Sequence, residues 1–468
     1  YEVLRNNKFV YDKGVKLKSE LHQGISLVMK CMVFGMIADM WGDAPYTQAL
    51  MADNGDSSIT SPAYDSQQTI YEGILADLET ANTILSKQRS EYTISIGSAD
   101  VYYNGDPAKW RKLANSLALR YYMRISDKMP SEAQTGIEKI IADPAKYPVI
   151  TSVADDATMS FPGNSDADSW PSNATYNADS SNYRRIKLCN TLVTALEALH
   201  DPRISVYANK VTIFLHVSGS LPSGTDMITD TVVNGESRQV RYISPDVLSS
   251  KSLTVNDINQ DVNYVGLPVA LSGPQAYNLS PDLNQASRNP HVSWVNSSFA
   301  NAKSGIKARL LSAAEVHFIL AEASAVKGWN AGDAETHYKQ GIQSSFAAWQ
   351  IPNEADNYIA QPEVAFDGTQ KQIIEQKWIA GWSVATESWF DWRRTGFPEL
   401  HGVNGRTKAK ELPVRFYYEL NERNLNSANL AKALNDLETT SLSNFGADGE
   451  KNSPWSKPWI AQGTGKPW

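Results

Sequence analysis

Apolar side chains recur at steps of three and four residues in the first and last thirds of the chain, and this spacing predicts amphipathic helices. The predicted helices cover 19–41, 64–86, 106–129, 131–142, 312–328, 331–349, 370–382, 386–394 and 424–437. Asp65 is expected to cap the second helix, and Pro107 lies where a first-turn proline belongs in the third. The helices come in pairs joined by short turns, but with an irregular period. The pattern alone leaves divergent tetratricopeptide-like repeats and another helical arrangement equally open.

The middle of the chain, from about 149 to 311, has a different character. Gly, Pro, Asn, Asp and Ser are dense there, and only 187–199 shows a good helical face. Weak alternation of apolar and polar residues indicates short strands at 211–217 and 238–243. We therefore expect three parts: a helical part over 1–148, an irregular loop-rich part over 149–311, and a second helical part with a tail over 312–468.

Composition and charge narrow the class of protein. The 468 residues include 43 Lys and Arg against 51 Asp and Glu, a formal net charge of −8, and 42% are apolar. These values are typical of a globular protein and exclude disorder, collagen and coiled coil. No basic run is present, so we expect no nucleic-acid partner. The longest apolar stretch, 25–41, is interrupted by Lys30 and Asp39, which argues against a membrane span.

The motifs of common catalytic and cofactor sites are absent from the sequence. It has no phosphate-binding loop, no dinucleotide-binding glycine pattern, no HExxH or CxxC zinc motif and no GxSxG nucleophile motif. We predict no cofactor, no metal site and no catalytic residue. Acidic residues at 155–168 lack the spacing of a calcium-binding EF-hand, and a solvated loop is the favoured interpretation. His317 lies on an apolar helical face and is expected to be a core residue.

The chain is rich in aromatic residues, with 13 Trp and 21 Tyr, and its loops are rich in Asn, Asp and Ser. Carbohydrate-binding proteins use this combination, because sugar C–H faces stack on aromatic rings while hydroxyls need amide and carboxylate partners. A single aromatic residue is nevertheless more often part of a core. In particular, Trp378, Trp382, Trp389 and Trp392 recur at helical spacings and are predicted to be core residues.

Six segments together resemble the SusD/RagB family of Gram-negative outer-membrane nutrient-binding lipoproteins, and in particular its SusD-like branch associated with starch and other glycans. The segments are MWGDAPYTQAL (40–50), YDSQQTIYEGILADLETA (64–81), KWRKLANSLALRYYMRIS (109–126), AAEVHFILAEASAVKGW (313–329), QKWIAGWSVATESWFDWRRTGFPEL (376–400) and LPVRFYYELNERNLNSAN (412–429). They follow the family's order across nearly the whole chain, which makes the resemblance more specific than any single motif.

The resemblance implies a mainly α fold, with a tetratricopeptide-like helical-repeat scaffold and a large irregular loop-rich insert carrying short strands. It also implies a non-catalytic protein that captures oligosaccharide or polysaccharide and delivers it to a SusC-like TonB-dependent transporter. Such proteins are tethered to the outer membrane by a lipidated N-terminal Cys. That Cys and a signal peptide are absent from the given sequence, which we expect to be a trimmed form. Capture of peptides or another nutrient on the same scaffold, and less so a glycoside hydrolase, remain alternatives.

The ligand site is expected in the middle part, because binding residues concentrate on loops held by a rigid scaffold. In the segment 169–185 we predict binding by aromatic rings and by amide or guanidinium donors. These residues are Trp170, Asn173, Tyr176, Asn177, Tyr183 and Arg184. A second patch is predicted around Tyr264 and Trp294. Arg393 and Arg394 are expected instead to bond helix C-terminal carbonyls or a carboxylate such as Glu387.

Overall fold

The computed structural model describes residues 1–52, 59–170, 182–269, 271, 273–301, 306–400, 412–445, 449 and 451–466. Helices dominate the first and last thirds of the chain, as the periodicity predicts. The helices are α1 (Glu2–Lys16), α2 (Glu20–Trp41), α3 (Gln67–Ile84), α4 (Pro107–Arg124), α5 (Pro130–Ala142), α6 (Asn190–Ala198), α7 (Arg203–Tyr207), α8 (Pro245–Ser250), α9 (Ser298–Asn301), α10 (Ala313–Ala325), α11 (Ala334–Ala348), α12 (Ala355–Ile359), α13 (Gln370–Ala380), α14 (Ala385–Thr395), α15 (Leu420–Leu425) and α16 (Ser427–Asn435).

The starts of the predicted helices follow local capping chemistry. Asp106 accepts hydrogen bonds from the backbone N–H groups of Ala108 and Lys109, and Pro107 is the first residue of α4, as expected. The expected cap of α3 is wrong by one residue, because the side chain of Ser66 accepts the N–H of Thr69. Asp65 instead accepts hydrogen bonds from the backbone of the preceding turn, at 2.8 and 3.0 Å.

Neighbouring helices in the sequence pack against one another from α1 through α5, and α10 packs on α11, α11 on α12, and α13 on α14. Helix α13 also packs on α10 and α11. Helix α4 also packs on α10, so the two helical parts contact each other directly. One large core spans both parts and includes side chains from α2, α3, α4 and α10. The tail contributes Ile460 and Ala461 to the same core.

Helix α2 is long and apolar enough to cross a membrane, by length and composition alone. Half of its most apolar stretch is buried inside the protein, where it packs against α1, α3 and α4. The core helix of a globular protein passes the same test, so this property is weak evidence of a membrane span.

The middle part contains two small sheets. Strands β1 (Ala157–Ser160) and β5 (Lys307–Leu311) pair antiparallel, while β2 (Ile213–Val217), β3 (Asp226–Val233) and β4 (Glu236–Ile243) form a sheet in the order β2-β4-β3. The predicted strands at 211–217 and 238–243 correspond to β2 and β4, which pair in parallel. Strands β3 and β4 form a hairpin whose Asn234-Gly235 turn has positive φ at both residues.

A buried network of ion pairs fixes α14 against the helices around it. Arg394 forms a two-pronged pair with Glu322 of α10, at 2.6 and 2.7 Å, and Lys377 of α13 lies 2.7 Å from Asp391. Arg393 pairs with Asp39 at 2.9 Å. Each of these side chains is less than a tenth exposed, so α14 is held by charges that have little contact with bulk water.

The predicted role of the two arginines is partly confirmed. Arg393 donates to the backbone carbonyl of Asp39, in the last turn of α2, as expected of a guanidinium near a helix C-terminus. Both arginines also pair with a carboxylate, as expected, but the partners are Asp39 and Glu322. The example of Glu387 is wrong, because that carboxylate is paired with Arg124 and lies 3.5 Å from Arg120.

Candidate functional site

A cleft of about 720 Å³ lies between the middle part of the chain and the α13–α14 region. Its volume is in the range of sites for small molecules and short oligomers, roughly 300–1,000 Å³. Four tryptophans line it: Trp170, Trp378, Trp382 and Trp389. The rest of the lining is mostly aliphatic and includes Ile186, Leu188, Leu192, Val269, Val295, Leu400 and Leu412.

The tryptophan rings of the cleft are held by a second layer of buried aromatic residues. Trp382 stacks on Tyr207, with ring centres 4.4 Å apart and an angle of 15° between the planes, and it contacts Trp349 at 5.4 Å. Trp170 meets Phe299 and Trp382 edge to face, at 6.2 and 6.5 Å. Because Tyr207, Trp349 and Phe299 belong to the core, the rings at the cleft have little freedom to rotate away.

One side of helix α14 lines the cleft, and the other side carries charged residues that form buried ion pairs. Ala385, Ser388 and Trp389 line the cleft, and the indole N–H of Trp389 donates to the carbonyl of Pro413 at 3.1 Å. On the other side, Asp391 and Arg394 enter the buried ion-pair network. The network thus fixes the position of a helix that supplies part of the cleft wall.

Few polar side chains line the cleft among the described residues: Lys187, Thr191, Ser388 and Glu399. Glu399 lies at the rim, 3.6 Å from Lys371, and is mostly exposed. Two smaller hollows share lining residues with the cleft. One, of about 330 Å³, shares Lys187 and Val269, and the other, of about 380 Å³, shares Trp170 and Trp382.

The residues predicted from sequence as ligand contacts are not all at this cleft. Trp170 lines it and is half-buried, and its role in binding remains a prediction. Asn173, Tyr176 and Asn177 lie outside the described residues. Tyr264 is half-buried and, like Trp382, packs against the core cluster that contains Tyr207 and Trp349. It does not line the cleft.

Two of the predicted stacking residues are buried, and this corrects their expected role. Tyr183 is fully buried and donates its hydroxyl to the carbonyl of Asn296 at 2.7 Å. Trp294 is 8% exposed and meets Tyr183 edge to face at 5.9 Å. Arg184 lies over Trp294, with 5.0 Å from the guanidinium carbon to the ring centre. Both rings belong to a core cluster that the middle part shares with Trp349 and Ile379, so they cannot offer an open face to a sugar.

The expectation that the tryptophans of 376–400 are all core residues is wrong for three of them. Trp392 is buried as predicted, at 1% exposed, but Trp378, Trp382 and Trp389 are half-buried and line the cleft. One signal in the sequence could have indicated this. Trp382 follows Gly381 at the turn between two helices, where a large aromatic residue is less easily covered on all sides.

Other candidate chemistry lies away from the cleft. His317 and His337 stack, with 3.1 Å between their Nδ1 atoms, and burial lowers the pKa of His317 to about 4. His317 is buried, as predicted. In the described ranges, no group of three or more His, Cys, Asp or Glu side chains could hold a metal ion. Asp155, in the acidic segment considered for calcium, is 2.7 Å from Lys112.

Comparison with known families gives one match over most of the chain. Residues 1–233 and 238–419 match the SusD-like family model described as starch-binding and associating with the outer membrane. No curated protein sequence matches the chain.

Solved structures share the fold at low sequence identity. A SusD homologue from Bacteroides uniformis superposes with a TM-score of 0.71 at 21% identity, covering 98% of this chain and 85% of its own. A SusD homologue from Bacteroides fragilis gives 0.67 at 20% identity, covering 98% and 88%. A chitin-binding SusD homologue from Flavobacterium johnsoniae gives 0.68 at 23% identity, covering 98% and 85%. These similarities confirm the predicted fold class, a tetratricopeptide-like helical scaffold with an irregular insert.

Proposed function

The chain belongs to the SusD-like family, whose members are described as starch-binding and outer-membrane-associated, and from this premise we propose that it captures oligosaccharide or polysaccharide at the cell surface without cleaving it. The tryptophan-lined cleft is the observation that carries the proposal. Delivery of the glycan to a TonB-dependent transporter, and a lipid anchor in the outer membrane, are proposed from the family resemblance alone.

The cleft suits a sugar because of how its rings are arranged. Pyranose rings have C–H faces that stack on flat aromatic surfaces, and indole is the largest such surface in proteins. Tryptophans from three separate segments, at 170, at 378 and 382, and at 389, border one space. Rings already fixed by neighbours such as Tyr207 lose little conformational entropy when a ligand binds.

The polar side chains at the cleft supply hydrogen bonds to sugar hydroxyls. Thr191 and Ser388 each offer a hydroxyl that can donate or accept, and Glu399 offers two acceptor oxygens at the rim. A glycosidase of the common type needs two carboxyl groups on either side of the scissile bond. Glu399 is the one carboxylate that lines the described part of the cleft, and this supports a binding role.

The proposal is tested by electrophoresis of the purified protein in gels containing individual polysaccharides, beginning with starch and chitin derivatives. We expect slower migration in at least one glycan gel. Incubation with the same glycan should release no new reducing ends. Absence of retardation across a broad panel, together with retention of peptides, would contradict the proposal in favour of another nutrient. Release of reducing ends would contradict the non-catalytic role.

A further inference from the structure

A lysine lies at the edge of the tryptophan-lined cleft, and its ammonium has no acceptor in the part of the chain that the structure describes. Lys187 lines both the cleft and the adjoining 330 Å³ hollow. Its Nζ is enclosed, and no hydrogen-bond acceptor from the described residues reaches it. Burial lowers the pKa of Lys187 to about 8, and the nearby Arg184 acts in the same direction. At neutral pH the side chain is therefore mostly charged, and it is an ammonium whose hydrogen bonds are not satisfied inside the described protein.

The surroundings of Lys187 do not neutralise it. Three cationic residues, Lys187, Lys307 and Arg309, line the cleft and its two hollows among the described residues, against the single carboxylate of Glu399. Glu399 is 3.6 Å from Lys371, a lysine that does not line the cleft, so its charge is already partly balanced. Arg309 is 3.6 Å from Asp156, whereas Lys187 and the exposed Lys307 form no ion pair with a carboxylate of the described residues.

This local excess of positive charge contrasts with the whole chain, which has a net charge of −8. A buried ammonium without a partner is costly and is seldom kept where packing alone is needed, since an apolar residue would pack as well. A ligand that brings its own negative charge removes that cost on binding. The flexible four-carbon stem of lysine lets the ammonium reach such a group in either the cleft or the hollow.

We infer that the glycan captured by this cleft carries an anionic group, a carboxylate or a sulfate, which pairs with Lys187. The inference rests on the proposed function and adds a class of sugar to it. The aromatic rings bind the sugar faces, and Lys187 selects for charge. Arg184, whose Nε has no hydrogen-bond partner in the described ranges either, adds positive potential from behind Trp294.

The test compares each acidic oligosaccharide with its own neutral form by isothermal titration at pH 7. The probes are oligogalacturonate, alginate and hyaluronan oligosaccharides with their carboxyl-reduced counterparts, and carrageenan oligosaccharides, which carry sulfate but no carboxylate, with their desulfated counterparts. The two sets distinguish a carboxylate from a sulfate. Neutral malto-, chito- and xylo-oligosaccharides complete the panel. The variant Lys187→Met removes the charge and keeps most of the stem, while Lys87→Met removes an exposed lysine paired with Glu20 and serves as the matched control.

We expect at least one acidic oligosaccharide to bind 10-fold or more tightly than its neutral form. Lys187→Met should reduce this preference at least fivefold and melt no lower than the parent. Lys87→Met should change neither affinity. Binding of neutral glycans with no preference for acidic ones, or a preference that survives in Lys187→Met, would overturn the inference and leave the proposed function standing. Binding to no member of the panel would overturn both.

Discussion

Replacing Glu322 with leucine is expected to destabilise the protein by about 3–5 kcal/mol, because the buried guanidinium of Arg394 loses its main carboxylate partner. Arg394 makes two hydrogen bonds to Glu322, at 2.6 and 2.7 Å, and a longer one of 3.2 Å to Asp391. The side chains of Arg394 and Glu322 are 4% and 0% exposed. Without Glu322, the guanidinium keeps Asp391 as its one hydrogen-bond partner among the described residues, and Asp391 is shared with Lys377.

The converse variant, Arg394→Met, is expected to cost a similar amount, since it leaves the Glu322 carboxylate with one weak partner, Gln370 at 2.8 Å. The double variant removes both charges at once. Its cost should fall short of the sum of the two single costs by at least about 2 kcal/mol. This difference is the coupling between the two side chains, and it separates the ion pair from the loss of packing.

The assay is urea unfolding followed by far-ultraviolet circular dichroism and by tryptophan fluorescence, with the unfolding slopes compared between variants. Lys87→Met is the control, because it breaks an exposed pair and should change the free energy of unfolding by no more than about 1 kcal/mol. Single variants that each cost less than about 1 kcal/mol, or costs that simply add, would refute the view that this pair fixes α14.

Two further predictions concern stability. Burial alone raises the pKa of Asp391, but ion pairs with Lys377 and other cations outweigh it and hold the pKa below its ordinary value. The resulting stabilisation is present above about pH 4 and is lost as the pH falls further, so the stability gap between the parent and Asp391→Asn should narrow between pH 5 and pH 2 in urea titrations. A gap that is constant with pH would contradict this. A Cβ at Gly35 would lie 2.1 Å from the hydroxyl of Tyr121, so Gly35→Ala should cost about 1–3 kcal/mol. A Cβ at Gly219 meets no described atom within 4 Å, so Gly219→Ala should melt within about 2 °C of the parent. Equal melting of the two variants would contradict the packing argument.

The helices of the scaffold could be predicted because their signals are local. Asp106 and Pro107 mark the start of α4, and apolar residues at helical spacing continue to its end. Helix α1 gives no comparable signal, because only Leu4 and Gly14 of its residues are buried, and the sequence pattern did not predict it. Strand β3 is exposed along most of its length, so its residues do not alternate between buried and exposed positions. The alternation that would indicate a strand is therefore missing from its sequence as well.

The candidate site could be predicted only in part, because periodicity identifies an apolar face but not what covers it. Trp378 and Trp389 share the spacing of core residues with Trp392, yet they border open space while Trp392 is enclosed. Conversely, Tyr183 and Trp294 lie in loop-rich segments but are buried together. Tyr183 and Trp294 are more than a hundred residues apart in sequence, and no local pattern indicates that they contact each other.

The partners of the buried charged residues could not be predicted from the sequence either. Arg394 pairs with a carboxylate 72 positions earlier, and Arg393 with one 354 positions earlier. Many of the 51 acidic residues were equally plausible partners before the fold was known. The family resemblance supplied the fold and the general role, while the three-dimensional structure supplied the position of the cleft.

The most direct test of the central claim is a titration of Trp378→Ala with the glycan that the parent protein binds best. Loss of one ring that buries roughly 80–100 Å² against a sugar, at about 25 cal/mol per Å², corresponds to about 2 kcal/mol, or about 30-fold in Kd. Phe9→Ala, at an exposed ring on α1, is the control and should bind as the parent does. A 10-fold or greater loss in folded Trp378→Ala alone would place the glycan in the cleft. An unchanged Kd would show that the ligand binds elsewhere and would contradict the account.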